Sequence, residues 1–229
     1  MTTGNRSIET QVEEQSRRWR LETLERRPEP HRPVIALSRQ HGAGGEEIAS
    51  RLAEALSLRL FDREILHHIA DSAHLREQAV SLLDERDRPV IDEWLAPFAG
   101  EGYLTHYEYL HHLIAVVAAI SRQGAAVMVG RGAHLLVRPG EALRVMVVAP
   151  LDARVAAVAA AEGVGLRVAR VRLAAVEAER RAFLRKYFHV EADDPAQFDL
   201  VVNTASLGLE GAVQAVRGAF ESLCAPARV

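Results

Sequence analysis

Residues 38–46 read SRQHGAGGE, and these residue types at this spacing could hold a phosphate. Gly42, Ala43, Gly44 and Gly45 are small enough for backbone N–H groups to converge on an anion, and a helix starting there would add the positive end of its dipole. Ser38 could hydrogen-bond a phosphate or a magnesium-bound water. The phosphate loop of nucleotide-dependent kinases reads G-x-x-x-x-G-K-[ST]. Aligned on Gly44, the lysine position holds Gly45 and the Ser/Thr position holds Glu46. A carboxylate repels a triphosphate unless a metal ion or an arginine lies between them, and Arg39 is the nearest compensating charge. The competing reading is a plain strand-to-helix turn, which also favours glycine. The dinucleotide pattern G-x-G-x-x-G fails because Glu47 stands at its last position.

Other charged residues follow apolar runs. Asp62 and Arg63 come directly after Leu58–Phe61, where Asp62 would also serve as a helix N-cap. Arg131 stands between Gly130 and Gly132 after the apolar run Ala125–Val129. Such a side chain points into a cleft, pairs with a carboxylate such as Asp62 or Asp152, or suffers a desolvation cost of a few kcal/mol. Arg154 follows Leu143–Ala149, and Arg180, Arg181 and Arg185 lie in a basic helical stretch where Glu177 and Glu179 could pair with them. Arg181 and Arg185 are i, i+4 and share a helix face.

The elements that must position these residues alternate. Short apolar runs at Val34–Ser38, Leu58–Phe61, Ala125–Val129, Leu143–Ala149 and Leu200–Asn203 predict strands. Helical spacing predicts helices over Glu46–Leu56 and Asp152–Ala161, mainly helix through 63–122 with a break at Pro97–Gly102, and a long basic helix or pair over Val168–Phe188. Leu209, Val213, Val216, Phe220 and Leu223 form a closing stripe. Alternation of this kind implies an α/β fold with a parallel sheet covered on both faces. Ligands in such folds lie beyond the carboxyl ends of the strands, which is where the loop, Asp62-Arg63 and Arg131 fall.

Residues 1–32 differ from the rest. Ile8–Arg27 is rich in Glu and Arg with Ile8, Val12 and Trp19 at loose helical spacing, and Pro28, Pro30 and Pro33 end it. Two readings stand: a charged helix packed by Trp19, or a homo-oligomer contact. Residues 33–224 would form the domain and 225–229 a tail. The charge balance of 28 basic and 31 acidic residues gives no global field for nucleic acid or an anionic membrane. The single Cys224 excludes an internal disulfide and a cysteine-based metal site. The ten histidines show no metal-ligand spacing, so no protein-held metal is expected. With no long apolar window and a charged N-terminus, the expectation is a cytoplasmic protein.

In order, Ala36-Leu37-Ser38-Arg39, GAGGEEIA, LFDREIL (Leu60–Leu66), VGRGAHLL (Val129–Leu136), VMVVAPLDARV (Val145–Val155), ERRAFLRKYF (Glu179–Phe188) and FDLVVNTASLGLEGAV (Phe198–Val213) resemble the cytidylate kinase-like family of P-loop proteins. The resemblance covers residues 34–222. It implies a P-loop NTPase-type five-stranded parallel sheet sandwiched by helices, a helical monophosphate-binding insert over 63–122 and an arginine-bearing lid over 163–188. It implies Mg2+-ATP-dependent phosphoryl transfer to a nucleoside monophosphate, CMP or dCMP. Ser38, Arg39, Gly42, Ala43, Gly44, Gly45 and Glu46 would then face ATP, and Asp62, Arg63, Arg131 and Arg154 the acceptor. Arg131, Arg181 and Arg185 would steady the transferring group, with Arg181 and Arg185 preferred to Arg180. The chain departs from the family at Glu46, where relatives often carry arginine, and at Ala157. These departures keep open a nucleotide-binding sensor without turnover, or a kinase for a non-nucleotide acceptor.

Overall fold

The computed structural model describes residues 32–71, 104–138 and 140–225. The expected N-terminal helix and the Pro97–Gly102 break lie outside the described residues. Five strands, β1 (Val34–Arg39), β2 (Arg59–Phe61), β3 (Ala126–Val129), β4 (Ala142–Val148) and β5 (Leu200–Asn203), form one parallel sheet in the order β2-β3-β1-β4-β5. β1 is central, with Leu37 in register with Val129 on one side and Val145 on the other.

The six α-helices among the described residues are α1 (Gly45–Ala55), α2 (Arg63–Asp71), α3 (Leu104–Gln123), α4 (Leu151–Glu162), α5 (Leu166–Phe188) and α6 (Thr204–Cys224). The basic stretch near the C-terminus is therefore one continuous helix, α5.

Alternation along β1 splits the core in two. Val34, Ala36 and Met128 pack with Leu66 of α2 and Leu113, Ile114 and Val117 of α3. Ile35, Leu37 and Val127 pack on the opposite face with Ile48 and Leu52 of α1 and Val213, Val216 and Phe220 of α6. Each of the larger buried side chains here contributes about 1.5–3 kcal/mol of transfer free energy. α6 opens on Asn203, which caps the N–H of Ala205, and breaks its helical dihedrals at Gly208 (φ 66°). Gly208 separates the polar first turn from the apolar stripe that begins at Leu209.

α4 and α5 pack on each other through Val155, Val158, Ala169 and Leu173. Gly163 (φ 64°) ends α4 in the left-handed conformation and lets the chain reverse into α5. This hairpin carries α5 across the carboxyl ends of the strands. Among the described residues, no helix is long and apolar enough to cross a membrane.

Candidate active site

β1 ends at Arg39, and the chain turns through residues 40–44 before α1 begins at Gly45. Gly42 (φ 79°) and Gly44 (φ 80°) are left-handed. At Gly42 a Cβ would stand 2.7 Å from the backbone oxygen of Arg154, so glycine is required twice over, by dihedral and by space. Gly44 is the N-cap of α1 and offers no side-chain cap. The first-turn amides of α1 therefore have no partner within the helix and remain available to an anion.

The loop is braced from outside. Glu177 of α5 accepts the N–H of His41 at 2.6 Å, and Arg154 Nη1 donates to the His41 carbonyl at 3.4 Å. Arg154 Nε also donates to the Ala149 carbonyl at 3.0 Å, and Nη1 lies 3.6 Å from Glu177 Oε1. Thr204 Oγ1 donates to the Ala43 carbonyl at 3.0 Å, tying the loop to the start of α6. Arg154 is buried in this bracing. Its guanidinium is committed to protein acceptors, which differs from the acceptor contact expected for it.

Two adjoining cavities of about 400 and 380 Å³ open at the carboxyl ends of β1, β2 and β3. Arg39, His41, Arg63 and Glu179 line both. Ser38, buried at the end of β1, lines the second together with Arg131. Asp62 and Glu46 line the first. Asp62 caps α2, its Oδ1 accepting the N–H groups of Glu64 and Ile65 at 2.9 and 2.8 Å. The N-cap reading therefore holds, and the same residue also faces the cavity.

Arg131 sits at φ 51° between Gly130 (φ 76°) and Gly132 (φ 72°). Three successive left-handed residues turn the chain sharply after β3, at a backbone cost of about 1–3 kcal/mol for the non-glycine member. The Arg131 guanidinium lies 5.2 Å from the centre of the Phe183 ring on α5. It forms no ion pair among the described residues, and its Nε is buried without a hydrogen-bond partner. Asp62 and Asp152 do not pair with it: Asp62 caps α2, and Asp152 accepts from Arg170 at 2.7 Å. Burial pushes the Arg131 pKa down, and the nearby charges of Arg63 and Arg39 add to this while Tyr109 and Tyr187 oppose it. An arginine stays charged under such a shift, so this turn aims an uncompensated cation at the cavity.

Arg63 also has no ion-pair partner among the described residues. Arg39 does: its Nη2 is 2.8 Å from Glu46 Oε1. Partial burial disfavours the Glu46 carboxylate, but its hydrogen bond and attraction to Arg39, with smaller contributions from His41 and Arg63, hold its pKa below the usual range. The Gly45 backbone lies against Arg39, so a Cβ at Gly45 would stand 2.5 Å from Arg39 Cβ.

On α5 the three arginines are placed differently. Arg180 lines the second cavity while bonded to Glu177 Oε2 at 3.2 Å and paired with Asp193. Arg181 is exposed, and Arg185 is exposed and paired with Glu191 at 2.9 Å. Neither lines either cavity. Glu177, Thr204 and Phe183 border the site although the sequence did not single them out for it, while Arg180 was a candidate ranked behind Arg181 and Arg185. A signal existed for Glu177. It falls in the buried series Ala169, Leu173, Glu177 and Leu184, where a carboxylate among apolar positions marks a polar network.

A glycine loop between a central strand and a helix, in a parallel sheet of this strand order, defines a P-loop kinase fold. Residues 34–206 match the cytidylate kinase-like family, and the chain belongs to it. It is 27% identical to a cytidylate kinase from Staphylothermus marinus over 82% of this chain and 96% of that one. It is 24% identical to a cytidylate kinase from Methanocaldococcus jannaschii over 83% of this chain and 98% of that one. A crystal structure of an uncharacterized protein from Eubacterium ventriosum superposes with a TM-score of 0.59 at 17% identity, covering 83% of this chain and 99% of that one.

Proposed function

We propose that the protein transfers a phosphoryl group from Mg2+-ATP to a nucleoside monophosphate, with CMP and dCMP the first candidates. The observation that carries this reading is the pair Arg63 and Arg131. Two guanidinium groups without carboxylate partners among the described residues face one cavity beside a glycine loop. Like charges are gathered this way where an anion compensates them. Family membership and the two cytidylate kinase relatives support the choice of acceptor.

The residues present suit the nucleotide. The left-handed glycines leave amides free to meet phosphate oxygens, and Arg131 carries a buried Nε that lacks an acceptor. Magnesium requires oxygen donors and keeps most of its ligands as water and phosphate. Ser38, Glu46 and Asp62 are the lining oxygens that would hold it, where it would screen the charge of the phosphates. Arg63 and Arg131 grip the acceptor monophosphate and orient it, Arg39 lies between donor and acceptor, and Arg180 flanks them. In this assignment residues 63–122 form the acceptor-binding insert and 163–188 the lid. Phosphoryl transfer asks little covalent chemistry of a protein beyond such positioning and positive charge.

The test is ADP release from Mg2+-ATP over a panel of monophosphates, with Arg131→Ala protein beside the wild type to expose contaminating kinase. Turnover with one acceptor that collapses in the variant is expected. Turnover equal in both proteins would defeat the assignment. One observation favours a second reading, a nucleotide sensor without turnover: Glu46 already occupies Arg39. Tight nucleotide binding with no transfer to any acceptor would support it.

A further inference from the structure

We infer that Arg39 is the cation of the glycine loop, standing in for the side chain absent at position 45, and that Glu46 is a resident counterion which an incoming phosphate displaces. This rests on the reading of the loop as a phosphate site, and it adds how the loop works without its lysine.

Space makes the first argument. A Cβ at Gly45 would stand 2.5 Å from Arg39 Cβ and 2.8 Å from its Cγ, contacts that real side chains do not make. The stem of Arg39 therefore lies across the backbone position from which a lysine would project. The loop has room for one cationic stem, from the end of β1 or from the start of α1. In this chain it comes from β1, and glycine at 45 is the steric condition for that.

Direction makes the second. Beyond Gly45 the Arg39 side chain reaches the turn after β3, where Nη1 is 3.1 Å from the place a Gly130 Cβ would take. The guanidinium thus spans the gap between the glycine loop and the Arg131 turn and lines both cavities. A group bound between donor and acceptor would meet it from either side.

Exposure makes the third. The Arg39 side chain is 16% exposed, whereas Glu46 is 74% exposed. A largely buried guanidinium close to Arg63 and Arg131 needs a negative neighbour. Glu46 supplies it from the solvent side, through a side chain that can swing away by rotamer change alone. Carboxylate and phosphate compete for the same guanidinium edge, and phosphate carries more charge. Glu46 is then neither a lost catalytic residue nor a barrier, but the group that keeps Arg39 in place until an anion arrives.

The test is calorimetric titration of the full chain with inorganic pyrophosphate, without divalent ions so that no metal intervenes. Glu46→Gln is expected to bind pyrophosphate about threefold tighter, and Arg39→Ala about tenfold more weakly. In the Arg39→Ala background Glu46→Gln should give no gain. Adding Gly45→Lys to Arg39→Ala should restore binding, whereas Gly45→Lys alone should lower the melting temperature. Should Arg39→Ala fail to fold, Arg39→Lys is used, with weaker binding and a diminished Glu46→Gln gain expected. Pyrophosphate binding unchanged by Arg39→Ala, or unchanged or weakened by Glu46→Gln, would overturn the inference. The kinase reading fails separately: this binding pattern without turnover would remove the kinase and keep the inference. Turnover indifferent to Arg39 would do the reverse.

Discussion

Glu177, in the middle of α5, accepts the backbone N–H of His41 in the glycine loop across 2.6 Å. The same carboxylate lies 3.6 Å from Arg154 and 3.2 Å from Arg180, so α4, α5 and the loop meet on one buried acid. Removing it takes a carboxylate from two mostly buried guanidinium groups, of which Arg180 keeps Asp193, and leaves one loop amide without an acceptor. We expect Glu177→Ala to lower stability by about 3–5 kcal/mol. Glu177→Gln, which keeps an acceptor for His41, should cost less. Urea unfolding of both variants measures this, and equal losses would show that the charge carries the whole effect and the amide contact adds nothing to it.

Gly42 and Gly163 separate dihedral strain from steric conflict. Both have positive φ, but only Gly42 would drive a Cβ against a backbone oxygen, at 2.7 Å from that of Arg154, while nothing lies within 4 Å of the Gly163 position. Gly163→Ala should cost about 1 kcal/mol from strain alone. Gly42→Ala should cost clearly more and also weaken pyrophosphate binding, because the loop must shift. Equal unfolding midpoints for the two variants would contradict the packing.

Arg131 should trade stability for function. Its guanidinium is partly buried against Phe183 without an ion-pair partner among the described residues. Arg131→Met keeps most of the packing and removes the buried charge, so stability should rise by about 1 kcal/mol. Acceptor turnover should fall by at least about a hundredfold. Thermal melts and steady-state kinetics on the same preparation check both halves. A destabilised variant would mean that the cation holds the turn together.

His134 sets an acid limit. Burial pushes its pKa down to about 4, reinforced by Arg180 and Arg144 and opposed by its contact with Gln197, while it stacks on Phe198 with ring centres 4.6 Å apart. The unfolded chain protonates this histidine near its ordinary pKa of about 6.5, so between the two values the unfolded state binds more protons. Stability is therefore complete above the unfolded value and falls with pH through the window, by up to about 3 kcal/mol at its lower end. Urea midpoints from pH 7 to 4.5 should show this slope, and His134→Gln should flatten it. An unchanged slope would move the acid sensitivity to another group.

The location of the site was readable because a parallel sheet leaves few places for charge. Val34–Arg39 and Ala126–Val129 are apolar apart from the last residues of β1, so the polar residues that follow must gather at one edge. Arg63 and Arg131 both line the second cavity there. What could not be read was rotation and depth. Successive residues on a helix differ by about 100° in direction, and so Arg180 faces the cavity while Arg181 points outward. Arg154 turns inward to Ala149, His41 and Glu177, since its neighbours there are set by α5, far away in the chain.

The order of short apolar strands and helices, the glycine turn after β1 and the family were determined by the sequence alone, because periodicity and glycine placement are local properties. Only the tertiary structure decided which charges are spent and which are free. Arg154 and Arg180 are held by Glu177, Arg39 by Glu46, while Arg131 is left over an aromatic ring. The reason is distance: a guanidinium and a carboxylate interact strongly only within a few ångströms in a partly dry site. Which groups come that close depends on how α4 and α5 fold back over the loop.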